Sequence, residues 1–385
     1  MVALVNDGRS GRAGHGDEGW ARRGDERRHR DGVWTGASGV ADLRTARPMR
    51  PSDRFRALTK PFVATVVLQL VEEGRLSLSD TVERWLPGIL PYGDQITVRQ
   101  LLNHTSGVPD YFFEPFLELY GGNRFRSWRP RELVALIADR PPDFPAGTAW
   151  SYSNTGYVLA GLIVEQVTGH RLGRELKRRI FRPLRLRDTS FPTDFPFLLG
   201  RHARGYSLEL DVEQGFIEGP LFDITVYNPS FAWGAGNIVS DVEDLARFFR
   251  ALLGGRLLPP ALLAEMKTPV EIEPGFGYGL GLDVSDSPCG PLFGHSGSIP
   301  GFLNTMLSSE DGTHQFGAMM NANEPPAAVW EPVDLMVERG IREAFAGEPC
   351  AAAAPQARAL QDGQAHRLRE DVAPRRPADA RPVPR

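Results

Sequence analysis

The alternation of apolar and polar residues predicts strands near both ends of the folded part and helices between them. The segments "VALVN" at residues 2–6 and "VWTGASGVADL" at 33–43 are typical of strands. Residues 276–321 return to strand patterns and include "SSEDGTH", whose Asp-Gly pair indicates a hairpin turn. Helical patterns lie between them, in "TVRQLLNH", "PRELVALIAD", "NTGYVLAGLIVEQVTG" and "SDVEDLARFFRALLGG". We therefore expect one sheet assembled from both ends, with a helical lobe inserted.

Three further helix signals refine this picture. After residue 60, apolar residues recur at helical spacing and mark one buried face: Phe62, Val63, Val66, Val67, Leu70 and Val71. In "SDVEDLARFF", Ser240 is the expected N-cap and Glu243 completes a capping box. A final helix is expected over roughly residues 327–346.

Composition places the chain among ordinary globular proteins and sets its domain limits. Of 385 residues, 41% are hydrophobic and 24% are charged, which is enough for a sizeable core. We predict one domain over residues 1–346, with a sheet lobe at about 1–75 and 232–346 and a helical lobe at about 76–231. Residues 7–32, rich in Gly, Arg, Asp and Glu, and the Ala-, Pro- and Arg-rich tail 347–385 are expected to be disordered.

Charge and cysteine content exclude several classes of function. The net charge of -4 gives no reason to expect nucleic acid or an anionic membrane as a partner. No apolar stretch reaches the length of a transmembrane segment. Cys289 and Cys350 are too few for a disulfide framework, and whether they pair stays open.

One lysine stands out at the start of the apolar helix. Lys60 is one of three lysines in the chain, beside Lys177 and Lys267. Burial can lower the pKa of an amine until it serves as a base, whereas Arg stays charged. Such a base needs a nucleophile three or four residues away on the same helix face, which is the logic of Ser-x-x-Lys. Taken alone, Lys60 favours the interpretation as a structural or surface lysine over a catalytic one.

Two other stretches carry groups of the matching chemistry. Tyr152 and Asn154 in "YSN" offer a phenol for proton transfer and an amide that can orient a carbonyl. In "GHSGSIPGF", His295, Ser296 and Gly297 end a strand, and the glycine lets a ligand approach the backbone. Taken alone, the first stretch favours an ordinary turn, and the second favours a Gly-rich strand end whose histidine has ordinary hydrogen-bond partners.

Together and in this order, these motifs resemble the serine β-lactamase and penicillin-binding-protein superfamily. The resemblance is strongest to the class C-like D,D-peptidases and esterases, whose motifs are Ser-x-x-Lys, Tyr-x-Asn and His-x-Gly. The flanking stretches "ITVRQLLNHTSGVPDY", "AGTAWSYSNTGYVLAGLIVEQVTG" and "YGLGL" agree with that branch. The resemblance covers about residues 33–346. It implies an α/β fold in which an antiparallel sheet is flanked by helices and joined to a mostly helical second lobe.

The resemblance also implies acyl transfer without a cofactor or metal. Lys60 would be the base, Tyr152 the proton shuttle and Asn154 the group that orients the substrate amide. The strand that binds the substrate would be lined by His295, Ser296, Gly297 and Ser298. The backbone N–H groups of Ala57 and Ser298 would form the oxyanion hole.

The chain departs from the family at the nucleophile. The family run Phe-Arg-x-Gly-Ser-x-Thr-Lys is replaced here by "FRALTK", residues 55–60, as though Gly-Ser had been dropped. Ala57 therefore occupies the position of the serine, and the chain contains no Ser-x-x-Lys. The sequence leaves open whether the loss is natural, an error or engineered.

Two functions follow, with a third hypothesis beside them. The first is a serine hydrolase of D,D-peptidase, β-lactamase or esterase type that is inactive or strongly impaired as written. The alternative is a non-catalytic binder of peptidoglycan-like peptides or β-lactams, and a structural protein without a ligand is the third. The expected ligand is a small peptide, a β-lactam or an ester; oligomeric state stays open.

The N-terminal sequence gives an expectation for the cellular location of the protein. The family is usually secreted, but "MVALVNDGRSG" lacks a basic region followed by an apolar one, which a signal peptide requires. The chain is therefore expected to be cytoplasmic as written, or truncated at its N-terminus.

Overall fold

A computed structural model describes residues 1–7, 27–28, 33–56, 58–211, 215–287, 290–323, 340–342, 344–345 and 381–382. Ala57, Cys289 and Cys350 lie outside these residues, as do most of the predicted polar insert, final helix and tail. Of the predicted final helix, residues 340–342, 344 and 345 are described; the first four are helical and residue 345 forms a turn.

The strands of the described part are short except around the central sheet. In chain order they are β1 (Val2–Asp7), β2 (Arg27–Arg28), β3 (Val33–Ala37), β4 (Val40–Asp42), β5 (Arg47–Pro48), β6 (Phe55–Arg56), β7 (Ala149–Trp150), β8 (Tyr206–Asp211), β9 (Gly215–Asp223), β10 (Val239–Ser240), β11 (Val270–Glu273), β12 (Phe276–Tyr278), β13 (Asp283–Ser285), β14 (Leu292–Ile299), β15 (Phe302–Ser308), β16 (His314–Met320) and β17 (Arg381–Pro382).

The helices lie mostly between the two sets of strands. They are α1 (Lys60–Glu72), α2 (Val82–Trp85), α3 (Val98–Leu102), α4 (Phe113–Tyr120), α5 (Pro130–Ala135), α6 (Asn154–Thr168), α7 (Leu172–Leu176), α8 (Trp233–Gly236), α9 (Val242–Leu253) and α10 (Pro260–Lys267). A π-helix covers Lys177–Phe181, and 3-10 turns cover Gly93–Gln95 and Pro229–Phe231. None of the helices in the described part has both the length and the apolar character that a membrane span requires.

The main sheet has nine strands in the order β11-β12-β13-β14-β15-β16-β1-β3-β2. Its strands pair antiparallel, and β1 from the start of the chain lies against β16, with Val2 opposite Met319. The predicted α/β fold with a sheet assembled from both ends is thus confirmed. Smaller two-stranded sheets are formed by β4 with β5, β6 with β10, β7 with β17 and β8 with β9.

Two local predictions were wrong. The segment 33–43 is not one strand, because Gly39 takes a positive φ of 87° and separates β3 from β4, which pairs with β5 instead. The N-cap of α9 is Asp241 rather than Ser240, and its side chain accepts a hydrogen bond from Asp244 N at 2.8 Å. Ser240 belongs to β10, where it pairs with Phe55, so the capping position moves one residue along the chain.

Helix α1 forms the centre of the core and positions Lys60. It begins at Lys60, and Pro61 follows in the first turn, where a missing N–H costs no helical hydrogen bond. Five of the six residues of the predicted apolar face are buried and Val71 is half-buried, but residues on the other sides, including Ala64 and Thr65, are buried as well. Phe62 stacks on Phe248 of α9 with ring centroids 3.6 Å apart. This packing holds the first turn of α1, which carries Lys60, against α9.

Candidate active site

The residues singled out from the sequence converge on one cleft. Its lining includes Lys60, Tyr152, Asn154, His295, Ser296, Gly297 and Ser298. They come from three places: the first turn of α1, the start of α6 and the strand β14. The cleft encloses about 50 Å³, far less than the ~300–1,000 Å³ of typical small-molecule sites. Ala57, the remaining residue of the expected set, lies outside the described residues.

Lys60 is buried, with 4% of its surface exposed. Its Nζ donates hydrogen bonds to Asn154 Oδ1 at 2.8 Å and to the carbonyl oxygen of Ala235 at 3.0 Å. The same atom lies 4.6 Å from the centroid of the Tyr152 ring. Neutral oxygens and an aromatic face therefore hold the amine, so the Lys60 side chain has one defined position inside the cleft.

Asp110 orients the Asn154 amide, a role that the sequence did not reveal. Its Oδ2 accepts a hydrogen bond from Asn154 Nδ2 at 2.9 Å, and its Oδ1 accepts from Asn154 N at 3.2 Å and Phe112 N at 3.1 Å. A carboxylate can only accept, so the amide nitrogen must face Asp110 and the amide oxygen must face Lys60. In the sequence Asp110 is a single acidic residue in the "GVPDY" loop, and an Asp in a loop is too common to indicate this role.

His104 supports the ring of Tyr152 and was also missed. It is fully buried and takes a positive φ of 62°, which is uncommon for a residue other than glycine. Its Nδ1 accepts a hydrogen bond from Ser153 N at 3.1 Å, so in the neutral ring the proton lies on Nε2. The rings of His104 and Tyr152 have centroids 4.3 Å apart. The ring of Tyr152 therefore contacts both His104 and the Lys60 amine.

His295 is held by its neighbours in one tautomer. Its Nδ1 contacts the carbonyl oxygen of Ser296, which can only accept, so Nδ1 carries the proton. Its Nε2 then accepts from the Tyr278 hydroxyl at 2.9 Å. Burial raises the pKa of Tyr278 well above its usual value, which keeps this phenol a donor. His295 is therefore held in place on β14 by hydrogen bonds on both ring nitrogens. The next residue is held as well, because Asp283 Oδ2 accepts a hydrogen bond from Ser296 N at 3.2 Å.

Two side chains pack closely over Gly297 on β14 and leave little room for a larger residue there. A Cβ on this residue would lie 2.9 Å from Asn304 Oδ1 and 3.1 Å from Leu58 Cδ2. Asn304 stands opposite Gly297 on β15, and its Nδ2 donates to the carbonyl oxygen of Arg56 at 2.8 Å. Its Oδ1 has no hydrogen-bond partner within the described part of the chain, although the residue is buried and lines the cleft. No local pattern around Asn304 indicated this position.

Thr59 directly precedes Lys60 and carries a hydroxyl, but this hydroxyl is engaged in a structural hydrogen bond. Its Oγ1 accepts a hydrogen bond from Ile238 N at 2.9 Å, and the residue is 2% exposed.

The cleft as a whole combines an amine, a phenol, an oriented amide and a strand edge, which are parts of an acyl-transfer site. Among the described residues, no group of three or more His, Cys, Asp or Glu side chains could hold a metal ion.

Comparison with known proteins identifies the family to which the chain is similar. The chain matches the Beta-lactamase family over residues 20–335. It is 32% identical over 286 residues to penicillin-binding protein 4* of Bacillus subtilis, covering 70% of this chain and 61% of that protein. The chain therefore spans about three fifths of the length of this relative.

Two solved structures share the fold at higher coverage. The D-stereospecific amidohydrolase of a Streptomyces species has a TM-score of 0.70 and 37% identity, covering 83% of this chain and 88% of that one. The D-amino acid amidase of Ochrobactrum anthropi, complexed with D-phenylalanine, has a TM-score of 0.70 and 31% identity, covering 89% and 94%.

Proposed function

Since the chain belongs to the beta-lactamase family of serine hydrolases, we propose that it is a member whose acyl transfer is abolished or strongly reduced. The observation that carries this proposal is the setting of Lys60. Its amine is buried and bonded to Asn154 Oδ1 and the Ala235 carbonyl, as a base would be held, yet the residue three positions earlier is Ala57.

The parental reaction assigns a task to each group. A serine hydroxyl at position 57 would give its proton to Lys60 while its oxygen attacks the substrate carbonyl. Tyr152 would pass a proton to the leaving amine or alcohol, and Asn154 would orient the substrate. The N–H groups of residue 57 and Ser298 would stabilise the oxyanion. Water would then release the acyl group and regenerate the hydroxyl.

In this chain the first step lacks its attacking atom. The methyl group of Ala57 cannot form an ester bond with an acyl group. The Thr59 side chain borders the cleft but does not replace the serine, because it is almost fully buried and its oxygen accepts a hydrogen bond from Ile238 N. We expect the bases and donors to remain in place without turnover.

The relatives suggest the chemistry of the ancestral substrate. They include a penicillin-binding protein, a D-stereospecific amidohydrolase and a D-amino acid amidase. The substrate class we propose is therefore a small amide or peptide with a D-configured residue, with β-lactams and esters as alternatives that use the same groups. Asn304 Oδ1, buried at the cleft, would accept an N–H of such a ligand.

A non-catalytic binder is the second candidate, and Asn304 is the observation that favours it. Against it stands the cleft volume of about 50 Å³, into which Leu58 projects. Binding would require Leu58 to move. Titration with an acyl-D-Ala-D-Ala peptide separates the binder from a structural protein without a ligand, since only the binder would bind the peptide saturably.

The proposal is tested by restoring the nucleophile. Hydrolysis of a p-nitrophenyl ester would be compared for the parent, Ala57→Ser, and a variant with Gly-Ser inserted between Ala57 and Leu58. We expect background, a trace and clear turnover, because the point variant keeps a connection two residues short and a misplacement of about 1 Å costs about 10²-fold in rate.

A matched control ties the recovered activity to this site. Lys60→Ala in the insertion variant should return hydrolysis to background. An insertion variant that is folded but stays at background would contradict the proposal that the nucleophile is what is missing. Parent activity equal to that of the insertion variant would contradict the proposed impairment.

A further inference from the structure

A second concave surface lies beside α7, away from the cleft, and its lining is strongly positive. This cationic groove encloses about 960 Å³. Six cationic side chains line it: Arg171, Arg174, Lys177, Arg182, Arg185 and Arg187. All six are exposed, and no Asp or Glu of the described part lines the groove. The whole chain carries a net charge of -4, so this positive charge is a local concentration.

Two buried acidic groups nearby are already paired with other cations. Glu175, on the same helix, is fully buried and accepts hydrogen bonds from Arg178 and Arg179 at 2.7 Å each. Asp244 is paired with Arg247 in the same way. Within the described part, none of the six groove cations forms an ion pair with a carboxylate. The groove therefore keeps a positive potential that attracts anions.

The six cations lie on consecutive elements of one chain segment, residues 171–187, and all of them line the groove. Arg171 immediately precedes α7, Arg174 lies within α7 and Lys177 begins the π-helix, and all three line the groove. Arg182 and Arg185 follow after the π-helix, and Arg185 takes a positive φ of 54° that a non-glycine residue seldom adopts. Hydrogen bonds from Arg185 N to Arg182 O and from Leu186 N to Phe181 O hold this turn.

We propose that the cationic groove binds a small ligand that carries several linked phosphate groups. Guanidinium forks match phosphate oxygens in pairs, and five of the six cations are arginines. The volume lies at the upper end of small-molecule sites, about 300–1,000 Å³, so the groove suits a compact ligand and not a nucleic-acid duplex. Its cations line a concave surface, which a flat membrane would not reach.

The test is calorimetric titration of the full chain with tripolyphosphate at low and high salt. We expect one saturable site that weakens as salt rises. The triple variant Arg174→Gln, Lys177→Gln, Arg182→Gln should bind at least about tenfold more weakly. The matched control Arg131→Gln, Arg201→Gln, Arg256→Gln removes the same charge from exposed sites elsewhere and should bind within about twofold of the parent.

Further arms distinguish the source of the phosphate. Orthophosphate should bind more weakly than tripolyphosphate, because it engages fewer cations. The proposal is overturned if both triple variants weaken binding equally, if no saturable binding occurs at low salt, or if phosphatidylglycerol vesicles or duplex DNA bind more tightly than tripolyphosphate. Thermal melting of both triple variants verifies that each remains folded.

Discussion

Replacing Asp110 by Asn should destabilise the protein by about 2–3 kcal/mol, because it removes the acceptor that orients the Asn154 amide. The substitution keeps the size of the side chain and one oxygen for the backbone N–H groups of Asn154 and Phe112. The other oxygen, which accepts from Asn154 Nδ2 at 2.9 Å, becomes an amide nitrogen. Two donors then face each other.

Turning the Asn154 amide does not relieve this conflict. Its nitrogen would then face Lys60 Nζ, which lies 2.8 Å from the present position of Oδ1 and is itself a donor. The loss is therefore one hydrogen bond to a charged group, about 1.5–3 kcal/mol, with a further penalty for the donor left without an acceptor. We expect about 2–3 kcal/mol in total, within the range for that hydrogen bond and with only a small further penalty, because Asp110 is only half-buried.

The assay is urea unfolding followed by far-UV circular dichroism. Asp139→Asn is the matched control, because Asp139 is exposed and the same change there should alter the free energy of unfolding by less than about 0.5 kcal/mol. If Asp110→Asn were as stable as the control, Asp110 would not orient Asn154, and the fixed environment inferred for Lys60 would be wrong.

Two further predictions concern burial and packing. Burial raises the pKa of Asp241 to about 7; the folded state favours its neutral form, so its stabilising contribution is complete below about pH 4 and is lost as pH rises through 7. Asp241→Asn keeps the cap. The free energy of unfolding of this variant relative to the parent, measured by urea unfolding, should be up to about 4 kcal/mol higher at pH 8 than at pH 4. The same difference between variant and parent at both pH values would contradict this. Gly297→Ala should destabilise by about 1–3 kcal/mol through contact with Asn304 and Leu58. Leu58→Ala should recover part of that loss in the double variant, and strict additivity would refute the contact.

The parts of the fold that could be predicted from the sequence are those with a local pattern. Strand β1 and helices α6 and α9 follow apolar periodicity, and the pairing of β1 with β16 then follows from where the strands fall in the chain. The two errors arose where a single residue or a distant pairing sets the end of an element. Gly39 interrupts an apolar run by its backbone conformation, and β10 extends to Ser240 because a distant strand pairs with it.

The candidate site divides in the same way. Lys60, Tyr152 and His295 could be found because their side chains have distinctive chemistry in recognisable motifs. Asp110 and Asn304 could not, because their roles depend on contacts made only in the fold. Asp110 meets a residue 44 positions away, and Asn304 meets Gly297 across a strand pair. Common residue types in such positions carry no local signal.

The central claim, that a complete set of catalytic neighbours surrounds a missing nucleophile, is tested most directly by intact-mass spectrometry after incubation with a penicillin. We predict no adduct on the parent chain, because Ala57 cannot be acylated, and one adduct per chain on the variant with Gly-Ser inserted between Ala57 and Leu58. A stoichiometric adduct on the parent at any residue of the cleft would contradict this claim.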